Sequence, residues 1–91
     1  MTYSIFYHPK VISEDIQKLD RLWKKKIRNA IEGKLATSPE LYGKPLRRSL
    51  SGYRKLRVGD YRVIFTIEKQ KITILLIAHR SIVYSSHMRR D

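Results

Sequence analysis

Two apolar rhythms divide the chain, one near the helical period and one at the strand period of two. Residues 2–7 are rich in aromatic and β-branched side chains and predict a first strand. Pro9 suits the first turn of a helix. Beyond it Ile12, Ile16, Leu19, Trp23, Ile27 and Ala30 or Ile31 recur at steps of three and four, with Lys24, Lys25, Lys26 and Arg28 largely around them. That stripe predicts helix with one face in the core, Trp23 included. A single helix of about 25 residues is long for so small a domain, and Asp20 has the chemistry of an N-cap. The expectation is therefore two helices, broken near Asp20 and ending near residues 33–36.

The next stretch, TSPELYGKPLRRSLSG, is punctuated by Pro39, Gly43, Pro45 and Gly52. It predicts a loop with a short strand at residues 46–50. Strands follow at 53–58, 61–68 and 71–79, and RSIVYSSHMRRD reads as a polar tail with one aromatic, Tyr84. No internal repeat or low-complexity segment interrupts this order. It predicts one α+β domain over residues 1–91: an N-terminal strand, then a helical hairpin packed on one face of a mainly antiparallel, twisted sheet.

The hairpin GYRKLRVGDYRVIF sets the sidedness of that sheet. Gly59–Asp60 as a two-residue turn pairs Val58 with Tyr61, Arg57 with Arg62, Leu56 with Val63 and Lys55 with Ile64. Alternation then puts Leu56, Val58, Tyr61, Val63, Phe65 and Ile67 toward the helices, and Tyr53, Lys55, Arg57, Arg62, Ile64 and Thr66 on the other side. A turn at Lys69–Gln70 pairs Phe65 with Ile74. The same counting sends Ile72, Ile74, Leu76 and Ala78 toward the helices, and Thr73, Leu75, Ile77 and His79 to the side of the cations. Arg57 directly opposite Arg62 is repulsive unless an anion lies between them. Long cations can simply splay into water over Ile64, Leu75 and Ile77; the addition of His79 and a flanking Tyr53 makes this face read as anion-binding.

Composition strengthens that reading. Twenty Lys and Arg stand against 8 Asp and Glu, a formal charge of +12. Such a field draws polyanions, so nucleic acid leads the candidate partners, with an acidic protein beside it. There is no cysteine, which excludes disulfides, thiolate metal sites and cysteine nucleophiles. MTYSIFYHPK lacks the basic start and long apolar run of a signal peptide, and the longest apolar stretch, ITILLIA, is too short to cross a bilayer. The expectation is a cytoplasmic protein with no membrane partner.

RNA brings its own nucleophile. A protein that removes the 2′-hydroxyl proton, stabilises the phosphorane and protonates the departing 5′-oxygen needs neither metal nor cofactor. His79 is a candidate proton carrier and Lys55 a candidate base. Arg57 and Arg62 are forks suited to phosphate oxygens, and Tyr53 or Tyr84 can stack on a base. Arg47, Arg48 and Arg54 extend the basic stretch as further candidate RNA contacts. Asp60 and Glu68 lie at turns and make no acid pair, the histidine spacings match no metal motif, and no phosphate-cradling glycine loop or Ser-His-Asp set is present.

The stretch SPELYGKPLRRSLSGYRKLRVGDYRVIF (38–65), followed by ITILLIAHRSIVY (72–84), resembles the RelE/ParE superfamily of bacterial toxins, and the resemblance spans essentially the whole chain. It implies a cytoplasmic toxin of a type II toxin–antitoxin pair, silenced by an acidic antitoxin. RelE-like members cut messenger RNA in the ribosomal A site, and by position the resemblance makes Lys55 the base, Arg62 the transition-state arginine, Arg80 an arginine of leaving-group protonation and Tyr84 a base-stacking tyrosine. Two departures stand out: Tyr53 occupies a position where RelE-type sequences can carry a second lysine, and the segment from Arg80 to Tyr84 is short. ParE-like members instead inhibit DNA gyrase and generally lack this basic set. Lys55, Arg62, Arg80 and Tyr84 together favour the ribonuclease; the alternatives are a gyrase inhibitor and a non-catalytic module that binds RNA or antitoxin.

Overall fold

Asp20 splits the helical stripe as its chemistry dictates. In the computed structural model, which describes residues 2–46 and 52–83, a first helical arm runs in wide turns over Val11–Asp15 and tightens to a 3-10 turn over Ile16–Lys18. Leu19 leaves the helical conformation, and Asp20 caps α1 (Arg21–Ala30) by accepting the Trp23 N–H at 2.9 Å. Helix α1 continues through a widened turn, Ile31–Leu35. The wide turns make the buried positions Val11, Leu19, Ile27, Ile31 and Leu35. Ile12, expected on the core stripe, is 53% exposed because Val11 takes its place.

The strands are β1 (Ser4–Tyr7), β2 (Lys44–Pro45), β3 (Arg54–Val58), β4 (Tyr61–Glu68) and β5 (Lys71–His79). They form one sheet in the order β1-β5-β4-β3-β2, parallel between β1 and β5 and antiparallel elsewhere. Strand β2 lies earlier than the stretch 46–50, whose last four positions fall outside the described residues. A short helix, α2 (Pro39–Tyr42), starts on Pro39 within the expected loop. Both hairpin turns fall where expected: Gly59 has φ +58 and Lys69 has φ +57. At Gly59 a Cβ would come within 2.6 Å of the Trp23 ring, so glycine is needed there for φ and for space. The fold is α+β, with the helices packed on Leu56, Val63, Phe65, Ile72, Ile74 and Ile77 of the sheet.

One expectation about sidedness fails, and the cause is a β-bulge. Ile64 pairs with Leu76, but its neighbour Phe65 pairs with Ile74, which leaves Leu75 as an extra residue in β5. Beyond it the alternation of β5 is reversed. Ile77 packs into the helix-side core, while Leu76 and Ala78 lie on the other side with Ile64, Val83, Leu46 and Tyr53. Leu75 and Ile77 are therefore buried, at 8% and 4% exposure, and do not form an aliphatic surface beside the cations. Strand β1 ends opposite Ile74, so beyond that point β5 no longer has β1 as its neighbour. There the buried Asp15 carboxylate accepts the Ile77 N–H at 2.9 Å.

Candidate functional site

Two cross-strand rows build the basic face. Arg57 stands opposite Arg62, and in the next row Lys55 lies between Lys44 of β2 and Ile64 of β4. Cross-strand partners share a face, so Lys44, Lys55, Arg57 and Arg62 project to the same side. Arg57 and Lys44 are exposed, whereas Lys55 and Arg62 are partly buried. Tyr53 packs at the margin against the Ile64–Leu76 cluster. Lys44 was not among the candidates read from the sequence, because the short strand was expected to begin after it. The available signal was Pro45, which a two-residue edge strand tolerates.

The end of this face is organised by the β3–β4 turn. Arg62 Nη1 donates to Gly59 O and to Tyr61 O, each at 2.9 Å, which folds its guanidinium back over the turn. Arg80 reaches the same turn from the end of β5. Its N–H donates to Asp60 O at 2.8 Å, and its Nε lies 4.0 Å from Asp60 Oδ1. That ion pair is exposed and weak, so an incoming anion can compete for Arg80. Trp23 of α1 supports the turn from the helix side, against Gly59 and 4.9 Å from the Tyr61 ring centroid.

The remaining candidates fall elsewhere. His79 is opposite Tyr61, so the reversed alternation puts it on the helix side, away from Lys55, Arg57 and Arg62. This corrects its expected place on the basic face. Arg54 has the parity of Leu56; its Nη1 donates to Gly43 O at 3.1 Å, which ties β3 to the loop after α2. Arg47, Arg48 and Tyr84 lie outside the described residues.

A second feature lies on the helix side. Between the first helical arm and α1 a groove of about 740 Å³ has Ile12, Ile16 and Ile27 on its walls and Lys24, Lys25 and Arg28 among its charged lining. Tyr7 also lines it. Burial, and then Glu32, raise the Tyr7 pKa above the ordinary phenol value, with Arg28 pulling the other way.

Comparison with known proteins matches residues 3–84 to the family described as the ParE toxin of the type II toxin–antitoxin system parDE. The chain belongs to this toxin family. It is 36% identical over 83 residues to Toxin RelE of Mycobacterium tuberculosis, covering 86% of each protein. With Toxin RelG of the same organism it shares 37% over 54 residues, 57% of this chain and 62% of the relative. The toxin–antitoxin complex RelBE2 of M. tuberculosis superposes with a TM-score of 0.82 at 29% identity, covering 88% of this chain and 100% of the matched one. A double-arginine mutant of Escherichia coli toxin RelE in the free state, at 19% identity, shares the fold with a TM-score of 0.70 over 93% of both chains. The chain is thus a RelE-like toxin of a type II toxin–antitoxin system, with the five-stranded sheet as the scaffold of its basic face.

Proposed function

We propose that this toxin is a ribosome-dependent endoribonuclease that cuts messenger RNA in the cytoplasm, using the 2′-hydroxyl of the substrate as nucleophile. The observation that supports this best is the opposition of Arg57 and Arg62, with the Lys44–Lys55 row beside it. Four cations on paired strands, Arg62 among them held by two carbonyls, suit a phosphate that gains charge during reaction. In this reading Lys55 takes the 2′-hydroxyl proton, the 2′-oxygen bonds to phosphorus, and Arg62 bears on the phosphorane oxygens. The bond from phosphorus to the 5′-oxygen then breaks, leaving a 2′,3′-cyclic phosphate and a 5′-hydroxyl. The departing oxygen needs a proton. Arginine does not give one up in proteins, so Arg80 supplies charge and the Lys44 ammonium supplies the proton. Tyr84 and Tyr53 remain the candidate base-stacking rings, and Arg57, Arg47 and Arg48 the candidate RNA contacts.

The partner in this reading is an acidic antitoxin. The similarity to the toxin of the RelBE2 toxin–antitoxin complex supports it, as does a groove with apolar walls and lysines at its edge. A ParE-like action on DNA gyrase is the second reading, favoured by the parDE description of the matched family. Expression from a tight promoter, with mapping of messenger 5′ ends and an assay of gyrase supercoiling, separates the two. Cuts phased with the ribosome inside coding regions are expected. Growth arrest with intact messages and inactive gyrase would replace the first reading with the second.

A further inference from the structure

The end of β5 places a histidine next to the arginine that meets the β3–β4 turn. His79 stands edge-on to Tyr61, ring centroids 5.5 Å apart. Its Nδ1 receives the Ser81 N–H at 3.1 Å and lies 2.8 Å from Ser81 Oγ. A backbone N–H only donates, so Nδ1 is the unprotonated nitrogen and a neutral ring carries its proton on Nε2. The imidazole does what an Asn or Asp does in an Asx turn: it accepts from the backbone two residues on. Arg80 lies between the two ends of that bond. Its own N–H is held by Asp60 O at 2.8 Å, and the Ile82 N–H closes the turn onto His79 O at 3.0 Å. Just beyond, Val83 is buried in the cluster beneath the basic face. The turn thus takes the chain from the helix side to the basic side and fixes Arg80 on the way.

We propose that His79 is a positioning residue, which through its Nδ1 bond to Ser81 holds Arg80 at the edge of the basic face and releases it when the imidazole is protonated. Only the consequence for activity rests on the ribonuclease reading; the turn itself does not. An imidazolium has two N–H donors and no acceptor, so the arriving proton displaces the Ser81 N–H and leaves Nδ1 only Ser81 Oγ, 2.8 Å away, to donate to. The titratable and charged groups around the ring are Glu14, Asp15 and Lys18 of the first helical arm and Tyr61 of β4, which line a shared cleft of about 360 Å³, with Asp60 and Arg80 at the turn. Asp15 is engaged with the Ile77 N–H, which leaves the ring's own acceptor to hold the turn. In this proposal the candidate proton carrier read from the sequence acts instead as a pH-sensitive turn cap.

The test uses the full chain as wild type, His79→Asn and His79→Ala. Amide exchange at Ser81 and Arg80 is followed from about pH 5 to 8, alongside ribosome-programmed cleavage of a defined message. Asn keeps an acceptor for the Ser81 N–H but cannot be protonated. Ser81 and Arg80 protection in the wild type should fall in acid toward the level of His79→Ala, about fivefold in all. Protection in His79→Asn should not change with pH. Protection in His79→Ala should be about fivefold lower throughout, the loss of one ordinary hydrogen bond. Cleavage by the wild type should decline in acid relative to His79→Asn. Wild-type protection independent of pH, His79→Asn behaving like His79→Ala, or a proton found on Nδ1 near pH 8 by nitrogen chemical shift would each overturn the proposal. Absence of cleavage by all three proteins would remove the ribonuclease reading, and the amide data would still decide the role of His79.

Discussion

Arg57 and Arg62 carry the same guanidinium and face each other across β3 and β4, yet their surroundings differ. Arg62 is held over the turn by two carbonyls, whereas Arg57 is exposed. A held charge is suited to a transition state and a loose one to capture of a phosphate. Arg57→Ala should therefore weaken RNA binding and lower the slope of log affinity against log salt by about 0.7, one single-strand contact, with cleavage of bound RNA little changed. An unaltered salt slope would remove Arg57 from the interface. Tyr7 gives a residue-scale prediction about pH. Its pKa is raised in the folded protein by burial and by Glu32. The folded state then keeps a proton that the unfolded chain releases as pH rises past the ordinary phenol range. Stability falls there, since the native state binds more protons. Urea melts from about pH 8 to 11 should show a smaller alkaline loss for Tyr7→Phe than for wild type; equal losses would dismiss the assignment.

At the scale of elements, the bulge at Leu75 decides which side chains share the basic face. The Gly59–Asp60 hairpin was legible because alternation on both sides of the turn admits one register, and Arg57 opposite Arg62 followed from it. The break near Asp20 was legible because a cap must stand where the stripe changes helix. The bulge was not. Every residue from Ile74 to Ala78 is apolar, so a slip of one position leaves no mark on the pattern, and β5 is buried on both faces beyond it. Its partner in the structure, Asp15, is 62 residues away from Ile77. The two-residue β2 was hidden for a different reason: a strand that short has no period, and so Lys44 went unread. Asp15→Ala leaves the Ile77 N–H buried without its acceptor and should cost about 1–3 kcal/mol in urea unfolding. Asp15→Asn, which keeps an oxygen acceptor, should cost less. Equal stability of Asp15→Ala and wild type would mean that the first helical arm is not secured to β5 through this bond.

Over the whole molecule, charge and fold divide the work between two sides of one sheet. The formal charge of +12 favours polyanions, and in the proposed function salt should weaken the encounters with both RNA and an acidic antitoxin. The groove between the first helical arm and α1 has the apolar walls that the proposed antitoxin contact needs. Ile12 lines it and is 53% exposed, so Ile12→Glu should leave stability unchanged and weaken antitoxin binding by about tenfold or more. Undiminished binding would place the antitoxin elsewhere. The general architecture was legible because helical and strand periods occupy separate stretches of the chain, and the matched family shares that order. The central claim is that the basic face acts on RNA chemically and does not merely hold it. Single-turnover cleavage of a ribosome-bound message by Arg62→Ala, measured beside its affinity for the same complex, tests this most directly. The rate should be lower by about a hundredfold or more, as for loss of one preorganised charge donor, with affinity nearly unchanged and the fold intact. Wild-type rates for a folded Arg62→Ala would contradict the central claim and leave a basic surface that only binds.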